Sequence, residues 1–218
     1  MMYDGVNTQI KFTLPNGLYF SLLEPVKMNF IPGYYASEMD AVIPKINVGM
    51  HYDLGDINLH PTFGFAMSNY NEDLAGIDEA ITAYAFALTG KYDMAPLKFQ
   101  GQINFGQNIG NYGFKTPMAG YYGMAGWVDD EIVNVTTMGG YLQAAYEMLT
   151  VGAGYTMDDS DSLDDPDATM NAFVQYKMKL GNICLMPEAG IIDYMENGYG
   201  VTTGAMTYFG MQMRVTIP

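Results

Sequence analysis

Apolar and polar residues alternate along most of the chain, and the alternation breaks at tight-turn residues. A side-chain period of two belongs to a β-strand with unlike faces; a helix would repeat its apolar stripe at three and four residues. In segment 6–14, Val6, Ile10, Phe12 and Leu14 share one face with Thr8, while Asn7, Gln9, Lys11 and Thr13 take the other. Pro15, Asn16 and Gly17 then supply a turn, with Gly17 free to take a positive φ. If Leu14 faces Leu18 in the returning strand 18–26, Phe12 meets Phe20, Ile10 meets Leu22 and Val6 meets Val26. Apolar partners at every step support that register.

The unit recurs. Strands are expected over 42–54 and 57–68, 80–92 and 97–107, 134–147 and 149–157, 168–180 and 183–194, and finally 201–217. With the first hairpin this makes about eleven strands. The hairpin from Leu54 to Pro61 resembles the one from Leu180 to Pro187, so one design is used twice. Pro61 and Pro187 fall inside strands, where each removes a ladder donor, and the sequence supplies no reason for them.

Short connections lie at 15–17, 55–56, 93–96, 147–149 and 181–182, and longer ones at 27–41, 69–79, 108–133, 158–167 and 195–200. An antiparallel meander therefore gathers the short turns at one end and the long loops at the other, which is the asymmetry of an outer-membrane barrel. The first strand runs towards the short-turn end, whereas bacterial barrels begin there, so at least one earlier strand is expected. Five earlier strands would give a total of about sixteen.

Composition decides which solvent meets which face. The 24 acids against 9 bases give a net charge of -15, which excludes the basic face of a nucleic-acid binder. An aromatic content of 14% excludes a disordered acidic chain. Cys184 is the single cysteine, so an internal disulfide framework and a Cys-cluster zinc site are excluded. No stretch approaches the roughly 18 apolar residues of a spanning helix. No secretory leader pattern opens the chain, which leaves a cytosolic protein, a removed leader or a fragment open. A small soluble barrel is apolar inside and charged outside. Here the polar face is rich in amides, namely Gln9, Gln100, Gln102, Asn104, Asn171, Gln175 and Gln212. The other face is long, built of Phe, Met and Tyr, and almost free of charge. The acids gather in the long connections: Glu72, Asp73, Asp78 and Glu79, then Asp129 to Glu131, then the run Asp158 to Asp167. An apolar outside and a wet inside fit lipid better than water. The expected fold is all-β: one antiparallel transmembrane β-barrel domain over 1–218. Phe12, Phe20, Met50, Phe99, Phe105, Met178 and Met213 should face outward.

The strand–tight-turn–strand units, the amide- and Lys-lined face and the final strand resemble the C-terminal part of a Gram-negative general porin. Tyr208, Gly210, Met213 and Val215 partly match a terminal-strand signal similar to the one used in barrel assembly, although the chain ends in Ile217 and Pro218. The resemblance implies an outer-membrane location and passive diffusion of small hydrophilic solutes. It implies the bilayer, lipopolysaccharide and a homotrimer as partners, and no cofactor.

Seven bases lie on the polar face: Lys11, Lys45, Lys91, Lys98, Lys177, Lys179 and Arg214, opposed by Asp53, Glu147 and Glu188. As a pore wall they would tune ion selectivity; alternatively they snorkel at the rim near the short turns. His51 and His60 face each other across the Gly55–Asp56 turn and join the lining set with Gln9, Gln100, Gln102, Asn104, Gln175, Glu188 and Gln212. Two imidazoles fall short of the three or four ligands usual for zinc. The run Asp158 to Asp167 lacks the Gly and terminal Glu of an EF-hand loop, so no metal site is expected. Segment 108–133, rich in Gly and Tyr, reads as an external cap. No Gly-x-Ser-x-Gly elbow or HExxH helix is present, and no enzyme is expected. Two rival readings stay open: a non-conducting outer-membrane barrel that presents its acidic loops to a partner, and a soluble all-β binding protein.

Overall fold

The computed structural model describes residues 9–23, 39–41, 43–72, 77–112, 123, 125–128, 131–195 and 197–216. The expected Val6–Val26 pair lies outside them. The elements begin with β1 (Gln9–Thr13), β2 (Leu18–Leu23), β3 (Met39–Ala41), β4 (Lys45–Met50) and β5 (Tyr52–Asp53). Next come β6 (Ile57–Glu72), β7 (Ile77–Met94), β8 (Leu97–Gln107) and the single turn α1 (Ile109–Tyr112). A small hairpin of β9 (Gly126–Val128) and β10 (Glu131–Val133) precedes β11 (Thr136–Tyr146) and β12 (Leu149–Asp159). The chain closes with β13 (Asp167–Tyr176), β14 (Met178–Leu180), β15 (Ile183–Asp193) and β16 (Ala205–Val215).

Apart from the small hairpin, the strands form one 14-stranded antiparallel sheet. β3, β4 and β5 all lie along β6, and β13 and β14 both lie along β15, so the sheet has the rungs read from the alternation. Phe12 pairs with Phe20 and Ile10 with Leu22, as expected. β1 pairs with β2 and β16 with β15, and the two do not pair with each other among the described residues. β8, β11, β12, β15 and β16 are 11 residues long, matching the roughly 9–11 residues of a tilted strand crossing a bilayer. β6 and β7, at 16 and 18 residues, run further. Glu72, Asp78 and Glu79 therefore sit on strand extensions and not in the expected loop.

The turns explain themselves locally. Gly17, Gly55 and Gly181 have φ of 85°, 79° and 61°, a region closed to most side chains and open to glycine. Glu147 takes φ 51° in the β11–β12 turn, which removes it from the polar face where it was expected.

The two prolines also find an account. Pro61 still pairs with Leu88 of β7, but on its other side the ladder breaks at His51, between β4 and β5. Pro187 pairs with Met211 of β16, and on its other side the ladder breaks at Lys177, between β13 and β14. In each hairpin the missing proline donor falls on the interrupted side. On the far side of each interrupted strand the ladder runs on: His51 N donates to Gly17 O at 3.1 Å, and Lys177 N to Met148 O at 2.7 Å.

One face carries a continuous lateral row of large apolar side chains: Phe20, Val48, Phe63, Phe86, Phe105, Met138 and Met157, each paired with the next. Its first six members are 36–45% exposed, so the row is a surface and not an enclosed core. Phe12 and Met213 on the same face are more exposed still, and Met50, Phe99 and Met178 are half-exposed. Gly90 pairs with Gly101 on this face, leaving a groove of about 550 Å³ between Leu59, Leu88, Tyr92, Phe99, Ile103 and Leu142.

This asymmetry sets a clear expectation. Phe86→Arg or Phe105→Arg should each cost about 2–4 kcal/mol of unfolding free energy in a bilayer, the penalty for a cation near the midplane of a barrel's lipid face. Gln102→Arg, three residues before Phe105 on the other face, should cost about 0.5 kcal/mol or less. Urea titration in liposomes measures both, and equal costs would contradict the assignment of faces.

Candidate functional site: the polar face of the sheet

The opposite face is built by the alternate residues of the same strands. Register places Lys11 opposite Ser21, Lys91 opposite Gln100, Gln175 opposite Glu188, and Lys179 and Arg214 on either side of Cys184. Gln9, Gln102, Asn104 and Gln212 fall on that same face. Neighbouring polar side chains are linked. Thr89 Oγ1 donates to Gln102 Oε1 at 3.1 Å, and Gln100 Nε2 donates to Tyr141 Oη at 3.1 Å. Lys98 lies 3.5 Å from Asp93 with both side chains exposed, a pairing worth little in stability.

His51 and His60 meet as expected, with ring centroids 4.0 Å apart and planes 16° from parallel. Tyr19 completes a cluster: its hydroxyl is 3.2 Å from His60 Nε2, and Lys11 Nζ stands 3.8 Å above its ring. Two imidazoles and a lysine-capped tyrosine are present, and no three His, Cys, Asp or Glu side chains converge on a metal-sized site among the described residues. Lys45 departs from the expected solvated wall. It is 2% exposed, paired with Leu23 in the ladder.

A second departure concerns the segment after β8. Asn108 takes φ 51°, a left-handed conformation that Asn tolerates better than most residues, and the chain turns onto the polar face. There α1 packs on β7 and β6. A Cβ on Gly106, whose direction is that of the polar face, would strike Ile109 Cγ2 at 2.4 Å. Gly110 N donates to Gly123 O at 2.8 Å, and a Cβ on Gly123 would approach Thr137 Oγ1. Ile81, Ala83, Ala85, Ala87, Ile109 and Ala125 are accordingly buried. The stretch Asn108–Tyr112, with Gly123 and Ala125, thus lies inward and does not form part of the expected external cap. Asn108 fastens it: Nδ2 donates to Thr82 O at 2.9 Å and Asn134 Oδ1 at 2.7 Å, and Oδ1 accepts from Val135 N at 2.9 Å.

The acidic run is likewise divided. Asp158 and Asp167 are strand residues that pair with each other and are buried, with Thr137 Oγ1 donating to Asp158. Asp161, Asp164 and Asp165 between them stay exposed.

The backbone matches solved outer-membrane proteins at low sequence identity. It matches OmpT of Vibrio cholerae, in its trimer form, at TM-score 0.55 and 13% identity, over 95% of this chain and 64% of that one. It matches the outer membrane channel DcaP of Acinetobacter baumannii at TM-score 0.63 and 13% identity, over 95% and 62%. The fold is that of a porin. An anion-selective porin from Comamonas acidovorans also matches, at TM-score 0.52 and 17% identity, over 94% and 57% of the two chains. This chain therefore spans less than two thirds of the length of these porin-fold relatives. Neither a protein-family model nor a curated protein matches the sequence.

In a porin fold this inward-lying segment covers the polar face of β7 beside β6. Sequence reading missed Asn108, whose neighbours show nothing of its bonds. It had a signal for the inward segment, however: Ile81 and three alanines on the polar face of β7 need a cover. Asn108→Ala would leave Thr82 O, Asn134 and Val135 N without their partner, costing about 1–3 kcal/mol locally. Hydrogen exchange at Ile109–Tyr112 and Val135 should speed up while β12 and β13 stay protected. Unchanged exchange at those positions would contradict the fastening role.

Proposed function

We propose that this chain builds part of the wall of an outer-membrane pore of a Gram-negative bacterium, passing small hydrophilic solutes and ions by passive diffusion. The observation that carries the proposal is that one sheet exposes Phe, Met and Val along one face and amides, Lys and Arg along the other. An exposed apolar band carried on one hydrogen-bonded antiparallel sheet suits lipid, where unpaired peptide groups are expensive. The opposite face, with its hydrogen-bonded amides, suits water. The porin fold of proteins that include a channel and an anion-selective porin supports the same reading. No bond is made or broken in this function, so the protein acts without catalysis. The bilayer is the partner of the apolar face; contact with lipopolysaccharide and assembly into a homotrimer belong to the same proposal.

The lining residues on this reading are Gln9, Lys11, His51, His60, Lys91, Lys98, Gln100, Gln102, Asn104, Gln175, Lys177, Lys179, Glu188, Gln212 and Arg214. Their charges act on permeating ions more strongly in a narrow aqueous pore with low-dielectric walls than on an open surface. The exposed acids between Asp161 and Asp165 set a negative rim ahead of a more positive wall.

The intact protein, reconstituted in a planar bilayer, should show stepwise conductance. Replacing Lys98, Lys177 and Arg214 together by Gln should shift the reversal potential across a salt gradient towards cation selectivity. Each substitution should change stability by about 0.5 kcal/mol or less. An unchanged reversal potential would reduce these bases to decoration of the rim. Stable insertion with no conductance would favour the non-conducting barrel instead.

A further inference from the structure

The polar face carries aromatic rings whose placement is unusual. Phe173 of β13 is paired in the ladder with Gly152 of β12 and Gly190 of β15, and Gly190 is paired with Tyr208 of β16. A Cβ on Gly152 would lie 2.5 Å from Phe173 Cε1 and 2.7 Å from Cζ. A Cβ on Gly190 would lie 2.7 Å from both Cε1 and Cζ of Tyr208. Each ring therefore leans sideways onto the glycine of the neighbouring strand, in the same direction, and each remains half-exposed. The glycines vacate the space that the rings occupy. Gln143 continues the row beyond Gly152.

The polar groups around the rings are held in place. Tyr208 Oη donates to Glu188 Oε1 at 2.9 Å, and Gln175 Nε2 donates to Glu188 Oε2 at 2.9 Å. The carboxylate thus has a partner on each oxygen, and its surroundings are a phenol and neutral amides. Two rings set two strands apart are separated by about 10 Å, twice the interstrand spacing, a span that one disaccharide covers. The negative face of an aromatic ring attracts the polarised C–H groups on the apolar side of a pyranose, and amides and a fixed carboxylate suit its hydroxyls.

We propose that Phe173 and Tyr208, with Gln143, Gln175 and Glu188, form a stacking track for neutral sugars on the pore wall. The proposal rests on the pore reading above and adds a solute class to it. It gives these glycines a function: Gly152 and Gly190 lay the rings against the wall, so that a sugar slides over them and the lumen stays open.

The test is ion-current block of the intact protein in a planar bilayer, with maltotriose as probe and a polyethylene glycol of similar mass as a non-stacking control. Maltotriose should reduce the current at concentrations where the polymer does not. In Phe173→Ala/Tyr208→Ala, the half-blocking concentration should rise tenfold or more with open conductance preserved, which also reports an intact fold. Gly152→Val, which keeps both rings and displaces one, should weaken block as well. Equal block by the polymer, an unchanged half-blocking concentration in the double variant, or block by choline without block by maltotriose would overturn the track and leave the pore standing. Absence of any conductance would overturn the pore and the track together.

Discussion

The backbone ladder is the interaction on which everything else depends. A peptide group in hydrocarbon has no water to bond, so each strand must satisfy its donors and acceptors through its neighbours. The sheet does this from β1 to β16 without leaving its antiparallel register. The places where it strains are informative. Pro61 and Pro187 each delete a donor, and in each case the adjacent strand is interrupted for one residue, His51 or Lys177. On the other side of that strand the ladder continues, with His51 N bonded to Gly17 O and Lys177 N to Met148 O. The twice-used hairpin is therefore a tolerated one-residue defect confined to one side of the strand.

Once the ladder is fixed, the side-chain period assigns the chemistry. Residues such as Phe63, Phe86 and Phe105 cannot leave the outer row without slipping a whole strand by one position, which would invert every face. The same rule places Gln100, Gln102, Gln175 and Arg214 together on the opposite face although they are distant in sequence. Glycine acts as the spacer on both faces. Paired Gly90 and Gly101 open the outer groove, and on the inner face Gly49, Gly152 and Gly190 make room for the rings of Tyr19, Phe173 and Tyr208.

Much of this was legible before any coordinates. Alternation gave the strands, the turn residues gave the hairpins, and the Phe12–Phe20 and His51–His60 pairings followed from turn length alone. What was not legible depends on contacts between distant segments. The inward course of the chain after Gln107 is set by the left-handed Asn108 and its bonds to Thr82, Asn134 and Val135. No local pattern encodes those bonds. Burial of Lys45 and of Asp158 likewise reflects packing at the long-loop end, where charge alone suggested solvent. The rings of the polar face were overlooked because an aromatic residue on a polar face reads as noise until its glycine partner is known.

The central claim is that one face of this sheet meets lipid and the other meets water. Nitroxide labels placed singly at residues 100 to 103, and at 142 and 143, test it directly in the protein reconstituted in liposomes. Labels at 101, 103 and 142 should be accessible to oxygen, which concentrates in lipid, and shielded from a water-soluble nickel chelate. Labels at 100, 102 and 143 should show the reverse. A period-two alternation between the two quenchers is the predicted result. Access of the nickel chelate to both sets of positions would contradict the account.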